Sequence, residues 1–156
     1  MRNRDPRRRF EANPAEMMAQ YLDDREDELR DAVITAAALV ARADGRIEPA
    51  ERCQLLDFLR RNGLLSVVTR AEVLDTFERR IRELEERRGA EMAVGNLGRL
   101  AGRSPGRLVI DAGQEIAAAD SRIDPREQYI LHLIGITLGG TLPASAARPD
   151  RAGKTW

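Results

Sequence analysis

At 156 residues the chain is long enough for one domain with a real core and short for two. Hydrophobic residues make up 42% and charged residues 33%; this suits a soluble, helix-rich globule, and no run of about 18 apolar residues is present to span a membrane. Cys53 is the only cysteine, which excludes an internal disulfide and points to a reducing cytoplasm, while the basic start lacks the apolar stretch of a secretory signal.

A formal net charge of zero hides local segregation. Residues 1–10 hold five Arg and one Asp, whereas residues 11–31 hold eight acids and two Arg. The first segment reads as a flexible basic arm over residues 1–12, solvated or weakly attracted to anionic lipid or nucleic acid. Residues 141–156, polar and without periodicity, read as a flexible tail. Between them, residues 13–140 form the folded domain, in which the 3.6-residue period dominates and no strand-like alternation stands out. The expected fold class is all-α, a bundle of six to seven helices.

In chain order, a short helix is expected near Ala15–Leu22, followed by a long one from about Asp24 to Ala43. Leu29, Val33, Ala36, Ala37 and Val40 form the apolar stripe of the long helix. Asp44-Gly45 ends it, and Pro49 suits the first turn of the next, with Leu55, Leu56 and Leu59 on its buried side. Thr69-Arg70-Ala71-Glu72 is a capping box opening a helix to about Arg88, with Val73, Leu74, Phe77, Ile81 and Leu84 facing inward. Asp75/Arg79, Glu78/Arg82 and Glu83/Arg87 are spaced as ion pairs on its solvated face. A shorter helix covers about Ala90–Ala101, with Met92, Val94, Leu97 and Leu100 as its apolar positions. Ser104-Pro105 starts the next helix, and Pro125 opens the last, which Gly139-Gly140 ends.

Two of these segments are near-copies. Asp44-Gly45-Arg46-Ile47-Glu48-Pro49-Ala50-Glu51 returns 76 positions later as Asp120-Ser121-Arg122-Ile123-Asp124-Pro125-Arg126-Glu127, and residues 32–63 match 108–139 at 12 of 32 positions. The pattern predicts two duplicated helix-turn-helix hairpins. Asp-Gly-x-Ile-x-x-x-Glu resembles the second half of a calcium-binding EF-hand loop, but the positions of the first two ligands fall on Val40 and Arg42, or on Ile116 and Ala118. Neither turn is therefore a self-sufficient EF-hand. If the hairpins pack about a pseudo-twofold axis, Asp44, Glu48, Glu51, Asp120, Asp124 and Glu127 converge, and six such carboxylates call for a hard cation such as Ca²⁺ or Mg²⁺. Helix capping explains the same residues equally simply, since Asp at a helix-ending turn and Glu in a first turn are ordinary choices.

Other chemistry finds little support. A single His132 and a single Cys53 cannot assemble a zinc set, and both are expected in core or partly exposed packing. Gly95, Gly98 and Gly102 follow no strand that would make them a phosphate loop, and Tyr21, Tyr129 and Trp156 form no stacking platform, so no nucleic acid is expected. No general base is nominated for a hydrolase, and no organic cofactor is indicated.

The helix Leu29–Ala43 running into Asp44-Gly45-Arg46-Ile47 and Glu51, with Ile116-Ala117-Ala118-Ala119-Asp120 running to Ile123 and Glu127, resembles the tellurite-resistance TerB family over roughly residues 28–140. The resemblance implies an all-helical, non-enzymatic, cytoplasmic protein, peripheral at the inner face of the membrane and acting in tellurite or stress resistance. It implies a divalent-cation site at Asp44, Glu51, Asp120 and Glu127, with Glu48 and Asp124 as secondary ligands, and other tellurite-resistance proteins, including membrane-associated ones, as partners. Ser121 departs from the pattern set by Gly45, so the second turn is expected to differ in shape. The alternative is a metal-independent interaction module, similar to the TerB-like domain of certain J-domain co-chaperones, in which the acidic turns are caps or a docking surface.

Overall fold

Asn13 and Pro14 start the first helix of the computed structural model, which describes residues 13–119 and 122–139. The Asn13 side chain accepts a hydrogen bond from the Ala15 amide at 3.1 Å, and Pro14 occupies the first turn, where its missing N–H costs nothing. The helix, α1 (Pro14–Ala43), then runs without interruption. The two helices expected from the sequence are thus one. No Gly or Pro separates Leu22 from Asp24, and side-chain bonds one turn apart bridge the join, from Gln20 Nε2 to Asp24 and from Arg25 to the Tyr21 hydroxyl, each 2.7 Å.

Five further helices follow: α2 (Pro49–Arg61), α3 (Arg70–Leu84), α4 (Gly89–Leu97), α5 (Ser104–Ala117) and α6 (Pro125–Leu138), with a 3-10 turn at Gly98–Leu100. Among the described residues there is no strand, and no helix is long and apolar enough to cross a membrane. The sequence-expected arm, tail and Asp120-Ser121 turn lie outside the described residues.

The C-terminal half of α1 is the centre of the core. Its alanines let neighbours come close on several sides, and Val33, Ala36, Ala37, Ala38, Val40 and Ala41 are completely buried. Helices α5 and α3 pack against it most extensively, contributing Val109, Ala112 and Ile116 on one side and Val73, Phe77 and Ile81 on the other. Leu55, Phe58 and Leu59 of α2 and Leu131, Ile134 and Leu138 of α6 close the remaining sides.

Helix α3 opens with the expected capping box: Thr69 Oγ1 accepts from the Glu72 amide at 3.2 Å, and Glu72 accepts from the Thr69 amide at 2.7 Å. That amide, assisted by the Thr69 hydroxyl, holds the Glu72 carboxyl below its ordinary pKa. The helix stops at Leu84 rather than near Arg88 because Leu84 is its last core residue, and Glu85–Arg88 have no apolar surface to bury. Its charged side is less solvated than the spacing suggests. Glu78 pairs with Arg52 of α2 at 2.7 Å, Arg80 with Asp31 of α1 at 2.7 Å, and Glu83 with Arg79 and Arg80. The Glu78 and Arg80–Asp31 bonds tie α3 to α2 and α1, whereas the Glu83 pairs stay within α3 but with partners other than the expected Arg87. Three further positions differ from expectation. Met92 is 66% exposed because α4 buries Leu97 and leaves its first turns open, and Cys53 and His132 both sit on outer helix faces.

Gly113 sets how closely α1, α5 and α6 meet. A β-carbon there would lie 3.1 Å from Leu131 Cδ2 of α6 and 3.7 Å from Val40 Cγ2 of α1. Gly113→Val therefore wedges both neighbours outward, and chemical denaturation is expected to show a loss of about 1–3 kcal/mol, the usual cost of overpacking.

Candidate functional site

Both acidic turns begin at the C-terminal end of a core helix and finish in the first turn of the next. In the first, Asp44 caps α1, and Gly45 adopts a left-handed conformation at φ 80°, which a side chain would strain. Asp44 Oδ1 accepts from the Arg46 amide at 2.8 Å, an Asx turn that carries the chain across Gly45. The chain then extends through Glu48, at φ −90° and ψ 151°, before Pro49 starts α2. In the second, Asp124 takes nearly the same conformation, φ −68° and ψ 146°, before Pro125 starts α6.

The two helix starts share one arrangement. Glu51 Oε2 accepts from the Glu48 amide at 2.7 Å, and Glu127 Oε2 accepts from the Asp124 amide at 2.7 Å. Each is the reciprocal half of a capping box. The other halves differ. Asp124 Oδ1 accepts from the Arg126 amide at 2.8 Å, whereas Glu48, longer by a methylene, completes its box only in outline and makes no cap hydrogen bond of ordinary geometry. Glu51 and Glu127 are each only 3% exposed, among the few buried charged residues, while Asp44 and Asp124 are half-buried and Glu48 is exposed.

The hairpins meet on the last turn of α5. Gln54, three residues beyond Glu51, donates from Nε2 to Glu115 of α5 at 2.9 Å, and Arg61 of α2 pairs with the same carboxylate. Leu131, four residues beyond Glu127, rests against Gly113 of α5, as does Val40 of α1. Glu115 and Gly113 are two residues, about 200° of helix, apart, so α2 and α6 rest on opposite sides of the α5 end and do not touch each other among the described residues. Sequence reasoning did not single out Gln54, Glu115 or Gly113. A glycine inside an apolar helical pattern, at the repeat position of Ala37, was the only available signal.

Five of the six sequence-predicted residues fall among the described residues, and Asp120 lies outside them. Among the described residues, no three of His, Cys, Asp and Glu stand together as a metal-holding group. Chemically, the site presents carboxylate oxygens only, aligned at two helix N-termini whose dipoles favour negative charge.

The family model for tellurite resistance protein TerB matches residues 30–145. No curated protein and no solved structure matches the chain.

Removing a buried carboxylate leaves the amide it accepts from without that bond. Glu51→Ala and Glu127→Ala are each expected to lose about 1–3 kcal/mol in urea denaturation. Glu48→Ala, at an exposed position without a firm cap bond, is expected to stay within about 0.5 kcal/mol.

Proposed function

The chain belongs to the tellurite resistance protein TerB family, and from that premise we propose that its paired acidic turns bind one divalent cation, Ca²⁺ or Mg²⁺. The observation that carries this reading is the matched placement of Glu51 and Glu127, each in the first turn of its helix at equivalent positions of the repeat and each accepting from the amide three residues before it. The donor set fits a hard cation, which takes oxygen ligands from carboxylates, backbone carbonyls and water. Asp44, Glu51, Asp120 and Glu127 would hold the ion, with Glu48 and Asp124 at its edge, and the ion would supply the charge that lets the two turns sit together. The protein is a non-enzymatic binding module of the cytoplasm, peripheral at the inner face of the membrane. It acts in tellurite or broader stress resistance alongside other resistance proteins, including membrane-associated ones.

A second reading is favoured by one specific observation. Asp44, Glu51, Asp124 and Glu127 each already accept a bond from a backbone amide, as caps do. In that case the module works without metal, and its acidic turns are caps or a docking surface for a protein partner.

Thermal unfolding separates the two. A ligand of the folded state at 100 times its dissociation constant stabilises by about 2.7 kcal/mol, several degrees for a domain of this size. The cation reading predicts such a rise with millimolar Ca²⁺ or Mg²⁺ over EDTA, abolished in Asp44→Asn/Asp120→Asn. A flat response in the unsubstituted chain selects the metal-independent module.

A further inference from the structure

The turn that joins α3 to α4 is as tight as a glycine allows. A β-carbon on Gly89 would collide with the carbonyl oxygen of Glu83, so glycine alone lets the chain double back here and set α4 against both α3 and α1. Helix α4 reaches the core through Leu97 and leaves its first turns open, with Met92 66% exposed. A groove of about 570 Å³ therefore remains between α1, α3 and α4, within the range of about 300–1,000 Å³ usual for ligand pockets. Ala32, Leu84, Leu97 and Leu100 are its buried apolar residues.

The walls of the groove differ in chemistry. Helix α1 supplies Glu28 and Asp31, one turn apart, and the end of α3 with the turn after it supplies Glu83 and Glu86, whereas α4 supplies Met92 and Ala93. Against the four carboxylates stand two arginines, Arg80 and Arg99, a balance of −2. Arg80 is already engaged, its Nη2 donating to both oxygens of Asp31 at 2.7 and 2.8 Å and its Nη1 to Glu83 at 2.6 Å. Glu28 and Glu86 are exposed and pair with no other described residue. Among the described residues no three such carboxylates stand together as a metal-holding group, so the charge is spread along the groove rather than gathered at one point. A spread acidic wall beside an apolar one complements a ligand that is basic along one side and apolar along the other, and it repels an anionic one.

We propose that this groove docks a basic amphipathic helix of a partner protein, its apolar side chains against Met92 and Leu97 and its Lys or Arg side chains along Glu28 and Glu86. Bases one turn apart on the partner match the one-turn spacing of Glu28 and Asp31 on α1, which a single small cation would not use. Methionine at the lip suits such a contact, because its unbranched thioether adapts to apolar surfaces of different shape. The groove is separate from the acidic turns: Asp31 precedes Asp44 by 13 residues along α1, about 20 Å of helix. The contact is small for a specific interface, so an affinity on the order of 10–100 µM is expected.

The probe is a fluorescein-labelled helical peptide of about 14 Leu and Lys residues, about 21 Å long, titrated with the full chain and followed by anisotropy. The expected result is saturable one-to-one binding, weakened by about 0.5 M NaCl as exposed charges are screened. Glu28→Lys/Glu86→Lys should weaken binding at least tenfold and Met92→Gln at least threefold, with thermal midpoints unchanged because all three side chains are exposed. Replacing the peptide's Leu by Ser, or its Lys by Glu, should abolish binding. Asp44→Asn/Asp120→Asn should bind the peptide as the unsubstituted chain does, whether or not the acidic turns hold a cation. No binding, or binding that survives Glu28→Lys/Glu86→Lys, overturns the proposal. Binding lost in Asp44→Asn/Asp120→Asn but kept in Glu28→Lys/Glu86→Lys would assign docking to the acidic turns instead.

Discussion

The last turn of α5 is the point on which the arrangement of the acidic turns depends. Within three residues, Gly113 receives Leu131 of α6 and Val40 of α1, and Glu115 receives Gln54 and Arg61 of α2. The first contact requires the absence of a side chain, and the second a carboxylate with two donors. Together they fix the starts of α2 and α6 on either side of one helix end. The conformation of the first turn is a local matter of Asp44, Gly45 and Pro49, whereas the placement of α2 and α6 is a consequence of packing on α5. Core packing therefore does two things here. It buries the apolar stripe of α1, and it seats α2 and α6 on opposite sides of the α5 end.

Capping and cation binding are physically compatible in this setting. An amide bond of 2.7 Å to Glu51 Oε2 or Glu127 Oε2 restricts the carboxylate before any ion arrives, and a ligand already held in place loses less entropy on coordination. The helix dipoles offset part of the cost of burying the charge. On the proposed reading the caps are the supports of the site.

Much of the fold is legible in the sequence because its signals are local. Pro49 and Pro125 start helices where expected, Thr69–Glu72 forms its capping box, and Leu55, Leu59, Phe77 and Ile81 lie in the core. The failures come from features that local pattern does not encode. The polar stretch around Asp23-Asp24 reads as a break, yet a helix continues through it because nothing stops it. Met92 fits the apolar period of α4 but faces solvent, since only neighbouring helices decide which turns are covered. Glu78 and Arg80 bond across helices to Arg52 and Asp31, pairings invisible to spacing within α3. For the acidic turns, the repeat pointed to Glu51 and Glu127 as equivalent, and their equal burial and identical amide bonds agree. The role of Gly113 as the meeting point needed coordinates, because a helical glycine carries no sign of what approaches it.

The central claim is that two turns act as one cation site. It is tested most directly by titrating Ca²⁺ into isotope-labelled protein and following the backbone amides of Arg46, Glu48, Asp124 and Arg126 by NMR. One shared site predicts that amides of both turns shift together and saturate on a single curve at one ion per chain. Amides that do not move, or a response confined to one turn, would contradict it.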